Sequence, residues 1–284
     1  MKWKGRQQSR NVEDRRGRSI GGKGIAGVGG GLGLILVIVF TLLNGGSPTD
    51  LVNNIGIGEP QSEGTYTGTA REEEMADFVA VVLKDTEEVW TDIFAENGMT
   101  YEEPTLVLFS GQVESACGIA GSAVGPFYCP GDQKLYIDLS FYDELSQRFN
   151  APGDFAMAYV VAHEVGHHVQ TLLGTTEEIM PLRNEMSETE FNRYLVRFEL
   201  QADYYAGVWA HHAQGLGYLE AGDVEEAMNA AHQIGDDTLQ RQARGYVTPD
   251  SFTHGTSEQR MRWFERGFEN GSIQGGDTFN TNNL

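Results

Sequence analysis

One turn of helix constrains this chain more than any other stretch: His163-Glu164-Val165-Gly166-His167. It follows the H-E-x-x-H pattern. On an α-helix, side chains four positions apart stack on one face, so both imidazoles can grip one metal ion from a single rigid element. Two neutral nitrogens plus a third protein ligand suit zinc, with a fourth position left for water. Glu164, beside the first histidine, is placed to take a proton from that water. The bare pattern also occurs in ordinary helices whose histidines bind nothing, so its surroundings have to decide.

Those surroundings fit. Pro152-Gly153-Asp154 reads as a helix start with Asp154 as the candidate N-cap, and Gly174 closes the helix. Between them Ala158, Val161, Ala162, Val165, Val169 and Leu172 form an apolar stripe, which places the motif in the middle of a largely buried helix. His168 lies off the ligand face and reads as a solvated group or a support for a ligand.

A second long helix is expected from Glu188 to about Ala213, opened by a Ser187/Glu190 capping box. Phe191, Tyr194, Leu195, Phe198, Ala202, Tyr205 and Trp209 make its core stripe. Glu199 and Asp203 lie four apart beside that stripe. Two carboxylates at this spacing repel, and nearby buried aromatics raise the cost of ionising them. A zinc ion with its histidines relieves both penalties. Glu199 is then the third ligand, and Asp203 accepts the free ring N–H of a ligating histidine. Asp203 as the third ligand is the alternative. The expected cofactor is one Zn2+ per chain, on His163, His167 and Glu199.

Near the end of the chain, Thr256 and Gln259 form another capping box, so His254 and Gly255 lie just before a final helix packed through Met261, Phe264 and Phe268. From such a loop His254 can hydrogen-bond the oxyanion of a tetrahedral intermediate. Arg260 can pair with an active-site carboxylate or with substrate. A surface capping loop is the plainer alternative.

The remainder reads as scaffold. A helix is expected from about Ala70 to Glu96, capped by Thr69 with Glu72. Leu106-Val107-Leu108-Phe109 reads as a short buried strand, and Lys134–Phe141 as a half-buried one able to pair with an extended substrate backbone. Cys117 and Cys129, the only cysteines, fall in a glycine-rich segment and are expected to form a disulfide outside the cytoplasm. A loop this short contributes about 3 kcal/mol in the chain-entropy view. Asp223 can cap a further helix carrying Ala227, Met228, Ala231 and Ile234.

Charge is unevenly spread. The chain has 284 residues and a formal net charge of -21, yet residues 1–23 hold eight basic side chains against two acids. The remainder carries a net -27, which excludes nucleic-acid binding through its general field. Between the two regions, Gly24–Leu43 is an uncharged run of 20 residues, matching the ~20 needed to cross a bilayer. The positive-inside rule then puts residues 1–23 in the cytoplasm and the rest outside, as a single-pass membrane protein. A cleaved signal peptide is the rival, but no clear A-x-A site follows. Residues 44–69 read as a flexible linker, 70–270 as the folded domain and 271–284 as a frayed, disordered tail.

These separated motifs together carry a resemblance. The chain resembles the bacterial membrane-anchored neutral zinc metallopeptidases, from Met1-Lys-Trp-Lys-Gly-Arg6 through Asn11–Gly17 and the apolar run to His254-Gly-Thr-Ser-Glu-Gln-Arg260. It is also similar to zincins of the gluzincin type, which combine H-E-x-x-H with a downstream E-x-x-x-D; Glu199 and Asp203 match that element. The last stretch looks like the H-P-x-x-x-x-R element of membrane peptidases related to the CaaX-processing protease, with Gly255 in place of the proline. The fold implied is α+β: a predominantly α-helical zincin-like domain with a small antiparallel sheet, preceded by one transmembrane helix. The activity implied is that of a zinc endopeptidase acting on peptide or protein substrates. A hydrolase of cell-wall peptide amides, and a metal-bearing adaptor or chaperone without turnover, are the alternatives. The oligomeric state is not legible.

Overall fold

The computed structural model describes residues 1–18, 66 and 68–284. In chain order it contains β1 (Val12–Asp14), α1 (Ala70–Glu96), β2 (Thr105–Phe109), β3 (Gln112–Ser115), β4 (Gly118–Gly121), β5 (Phe127–Cys129) and β6 (Lys134–Asp138). Helices α2 (Phe141–Gln147), α3 (Asp154–Leu172), α4 (Thr175–Ile179), α5 (Glu188–Gly215), α6 (Asp223–Gln233), α7 (Asp236–Arg244) and α8 (Ser257–Asn270) follow. The architecture is α+β and mostly helical.

Helix α3 is the central element. Every residue from Phe155 to Gln170 is buried, so the helix is covered on all sides rather than on one stripe. Helix α5 packs along one side of it and α8 packs on α5; α1 and α6 cover further faces. The aromatic stripe read for α5 is accurate at its centre, where Phe198, Tyr205 and Trp209 are buried, whereas Tyr194 is exposed. The three expected capping boxes are present at the starts of α1, α5 and α8. Each satisfies backbone N–H groups that a helix start leaves unpaired.

The sheet differs from expectation. Its order is β1-β2-β6-β5, with β1, β2 and β6 parallel and only the edge strand β5 antiparallel. The antiparallel pair β3–β4 forms a separate hairpin. The run Leu106–Phe109 is buried throughout, which is the signature of a parallel strand covered on both faces rather than of an antiparallel one. Strand β6 is likewise buried from Leu135 to Asp138. Cys117 and Cys129 form the expected disulfide, tying the hairpin to β5.

The N-terminal segment also departs from the reading of residues 1–23 as a basic arm separate from the domain. Strand β1 pairs with β2. The Met1 ammonium lies 2.7 Å from Asp154 and 3.3 Å from Asp223, and it is buried. Burial opposes that charge, but the two carboxylates outweigh it and raise its pKa. Arg6 pairs with buried Asp85, Ser9 and Asn11 donate to Glu87, and Arg16 pairs with Asp14 and Glu73. Arg6 and Arg16 are therefore partners for acids far along the chain, Asp85 and Glu73.

Residues 24–43, and the linker apart from residues 66, 68 and 69, lie outside the described residues. Among the described residues, no helix is long and apolar enough to cross a membrane. The chain is next described at Tyr66, directly against Gly17. At the other end, residues 271–284 are not a frayed tail. Thr278 is fully buried, its hydroxyl donates to Arg197 O, and Arg197 donates back to the carbonyls of Thr278 and Thr281. The polar composition misleads because this segment is held by hydrogen bonds from α5 side chains to its backbone carbonyls.

Candidate metal centre

Three elements converge on one point. Helix α3 supplies His163, Glu164 and His167; α5 supplies Glu199 and Asp203; the start of α8 and the loop before it supply Arg260 and His254. The N-cap of α3 is Gly153, not Asp154, which leaves the Asp154 carboxylate for the Met1 ammonium. Gly222 likewise precedes α6, and Asp223 joins the same cluster.

The Glu199 carboxylate faces both motif histidines. Its Oε2 lies 3.1 Å from His163 Nε2 and 3.4 Å from His167 Nε2. Tetrahedral zinc with bonds of roughly 2.0 Å holds its ligand atoms ~3.3 Å apart, so Glu199 stands from each histidine at the spacing zinc requires, and all three donor atoms lie within 4.8 Å of one another. The set is chemically apt as well, being two imidazoles and one carboxylate, all buried. The far nitrogen of each ring is already engaged: His163 Nδ1 lies 2.8 Å from Asp203 and His167 Nδ1 lies 2.8 Å from Gln170. The Nε2 lone pairs are thereby free to ligate. The residues fit a zinc ion.

Asp203 is committed elsewhere, which decides between the two candidate third ligands. Its Oδ1 accepts from His163 Nδ1, from the Tyr159 hydroxyl at 2.5 Å and from Arg260 Nη2 at 3.0 Å. Its Oδ2 accepts from Arg260 Nε at 2.9 Å. Both oxygens are engaged, and Asp203 is not in the group whose donor atoms converge. Burial alone would raise its pKa, but the Arg260 guanidinium and His163 override this and bring it to about 2. Arg260 therefore pairs with the active-site carboxylate, one of the two roles read from the sequence.

The electrostatics point to a cation. Burial works against a charge on His163, yet Asp203 and Glu199 raise its pKa to about 10. Carboxylates that hold a proton this firmly would also draw a dication. Burial opposes ionisation of Glu199 too, but His167, His254 and His163 hold it well below the usual carboxylate range. Glu164 is raised, chiefly by burial. A carboxylate so poised is a better general base than an ordinary surface glutamate.

His254 reaches the same site, with Nε2 3.9 Å from Glu199 Oε2. Its loop is held by one buried carboxylate: Asp236 Oδ2 accepts the backbone N–H groups of Thr253, His254 and Gly255 at 2.7, 2.7 and 3.1 Å. This accounts for glycine at 255. Its φ is +93° and its N–H is bonded, whereas proline fixes φ near −65° and has no N–H. Asp236 was not found from the sequence, because its partners are backbone groups.

His168 is neither solvated nor aimed at the metal. It is fully buried, with Nε2 2.6 Å from Glu102 O and Nδ1 3.0 Å from the Tyr128 hydroxyl. Burial lowers its pKa to about 4, so it is neutral, donating from Nε2 and accepting at Nδ1. It fastens the edge strand β5 to the motif helix. Tyr159 and Gln170 were also missed: both lie on α3 at helical spacing from a motif histidine, a signal present in the sequence. A second acidic group, Asp154, Asp223 and Glu226, is not metal-like, since the Met1 ammonium pairs with its two aspartates and Glu226 accepts from Phe155 N.

Comparison with known proteins agrees with this site. A family model described as "Putative neutral zinc metallopeptidase" matches residues 1–279. The chain is 50% identical over 285 residues to the "Uncharacterized protein YpfJ" of Escherichia coli (strain K12), covering 98% of this chain and 99% of that protein. It is 44% identical over 195 residues to the "Uncharacterized protein Rv2575" of Mycobacterium tuberculosis (strain ATCC 25618 / H37Rv), covering 65% of each. No solved structure matches the chain significantly.

Proposed function

Because the chain belongs to the neutral zinc metallopeptidase family, we propose that it is a zinc-dependent endopeptidase that hydrolyses peptide bonds in peptide or protein substrates. The observation that carries the proposal is the convergence of His163, His167 and Glu199, each with its donor atom turned to the others. One zinc ion per chain on these residues would supply Lewis acidity, polarising the scissile carbonyl and lowering the pKa of water to about 7.

The protein's own groups do the rest. Glu164 takes the proton of the attacking water and delivers it to the leaving amine. His254 donates Nε2–H to the developing oxyanion, and Asp236 keeps its loop in place. Asp203 holds the His163 ring, while Arg260 and Tyr159 neutralise and orient Asp203. Strand β6, expected to pair with an extended substrate backbone, lies between β2 and β5; among the described residues β5 is the edge strand on that side, and, fastened to α3 through His168, it takes that role in the proposal.

Membrane attachment through residues 24–43 is part of the proposal, as is an extracytoplasmic site. The docked N-terminal segment supports an attachment in which residues 1–18 and 66–284 lie on one side of the membrane.

The test of the chemistry is Glu164→Gln in the full-length chain, assayed against a broad peptide library. Zinc content should stay at the wild-type level while hydrolysis falls by at least ~100-fold, the scale of a general base. Hydrolysis at the wild-type rate would refute the mechanism. Absence of hydrolysis in wild type, with a partner bound equally by both proteins, would favour the adaptor reading.

A further inference from the structure

The two ligating histidines are supported differently. His163 has a charged partner, Asp203, whereas His167 has a neutral one, Gln170. A carboxylate can only accept from a ring N–H, but an amide can accept through oxygen or donate through nitrogen. What Gln170 does to His167 therefore depends on which way its amide is turned, and the surrounding structure settles that.

Gln170 is fully buried. Its Nε2 lies 2.7 Å from the backbone carbonyl of Phe198 and 3.0 Å from Gln201 Oε1. Gln201 in turn places its Nε2 2.8 Å from the backbone carbonyl of Gly276. Carbonyl oxygens only accept, so Gly276 O fixes the Gln201 amide, and Phe198 O with Gln201 Oε1 fixes the Gln170 amide. The Gln170 oxygen is left facing His167 Nδ1 at 2.8 Å. An acceptor there requires Nδ1–H, and a neutral imidazole protonated at Nδ1 carries its lone pair on Nε2, the atom facing Glu199. The Phe198 ring, stacked on His167 with centroids 5.1 Å apart, fixes the plane.

We infer that Gln170 is a positioning residue that sets the ligating tautomer of His167, and that the C-terminal segment locks it there through Gln201 and Gly276 O. The role in ligation rests on the zinc reading given above. A neutral partner orients the ring without adding a further negative charge to a site that already holds Glu164, Glu199 and Asp203.

The experiment compares wild type, Gln170→Leu, Gln170→Glu and Gln201→Leu as full-length chains. Zinc affinity is read by competition with a chromophoric chelator, and the ring-nitrogen NMR spectrum of His167 is read in the metal-free proteins. Loss of such a partner costs about 10- to 100-fold in metal affinity. Gln170→Leu should show that loss, together with a shift of His167 away from the Nδ1–H form. Gln170→Glu, which keeps an acceptor opposite Nδ1, should recover most of the affinity. Gln201→Leu leaves Phe198 O alone to hold the Gln170 amide, so it should keep the Nδ1–H form and lose less zinc affinity than Gln170→Leu; it tests the lock if Gln170→Leu does not fold, and affinity equal to wild type would show that Gln201 is no part of it. Affinity within threefold of wild type and an unchanged ring spectrum in Gln170→Leu would overturn the inference. Wild type that binds no zinc would sink the metal reading instead, and the ring spectra alone would then decide the tautomer claim.

Discussion

At Gly166, the residue before the second motif histidine, the backbones of α3 and α5 approach closely beside the site. A Cβ added there would lie 2.8 Å from Ala202 O, 3.0 Å from Ala202 Cα and 3.3 Å from Ala202 C. Ordinary contact begins near 3.4 Å, so the methyl group is too close to the oxygen by about 0.6 Å. The obstacle is helix backbone, which cannot rotate away as a side chain can. Gly166→Ala must therefore push α5 off α3, and Glu199, three residues before Ala202, moves with it. Overpacking costs about 1–3 kcal/mol, offset by the ~1 kcal/mol that alanine contributes over glycine within a helix. The net loss should be about 0–2 kcal/mol in urea unfolding of the metal-free chain. Metal bonds tolerate only ~0.2 Å, so zinc affinity should fall by an order of magnitude or more. Gly215→Ala is the control. It is the same chemical change at the last residue of α5, with open space around it, and it should be neutral or stabilising. If Gly166→Ala matches wild type in both stability and zinc affinity, the close helix approach does not set the site.

Two further outcomes follow from the docked N-terminal segment. Asp85 is buried beside Arg6; burial raises its pKa from 3.8 to about 6, and Arg6 only partly opposes this. The folded chain thus favours the protonated acid, a contribution fully present below pH ~4 and lost as pH rises through ~6. Relative to Asp85→Asn, wild type should lose up to about 3 kcal/mol of unfolding free energy across that window and stay level above it; a difference independent of pH would contradict the assignment. Single cysteines at exposed positions 4 and 246, as Lys4→Cys and Tyr246→Cys, should react with a membrane-impermeant maleimide from the same side of the cell membrane. Labelling from opposite sides would show that residues 1–18 are not docked in the cell.

What was legible in the sequence is what helical periodicity and local capping determine. His163, Glu164 and His167 share a turn, Glu199 and Asp203 share a face, and the bounds of α1 follow from Thr69 and Glu72. Arg260 was within reach because its spacing from His254 is fixed by the capping box at Thr256. The misreadings involve partners distant in sequence. Strand β1 is three residues long, and its pairing with β2 crosses more than 90 positions, so no local pattern announces it. Arg6 and Arg16 look like the flank of a membrane span until Asp85 and Glu73 are seen beside them. Gln201 is fixed by the Gly276 carbonyl and Asp236 holds backbone N–H groups, partners that leave no trace in residue type.

The central claim is that His163, His167 and Glu199 form a zinc site. The most direct test is the zinc content of the full-length chain purified without added metal, for wild type and Glu199→Ala. Near one zinc per wild-type chain, with strong loss in Glu199→Ala, is the expected result. No zinc in wild type even after zinc is offered would contradict the metal reading, and zinc fully retained without Glu199 would contradict the ligand set.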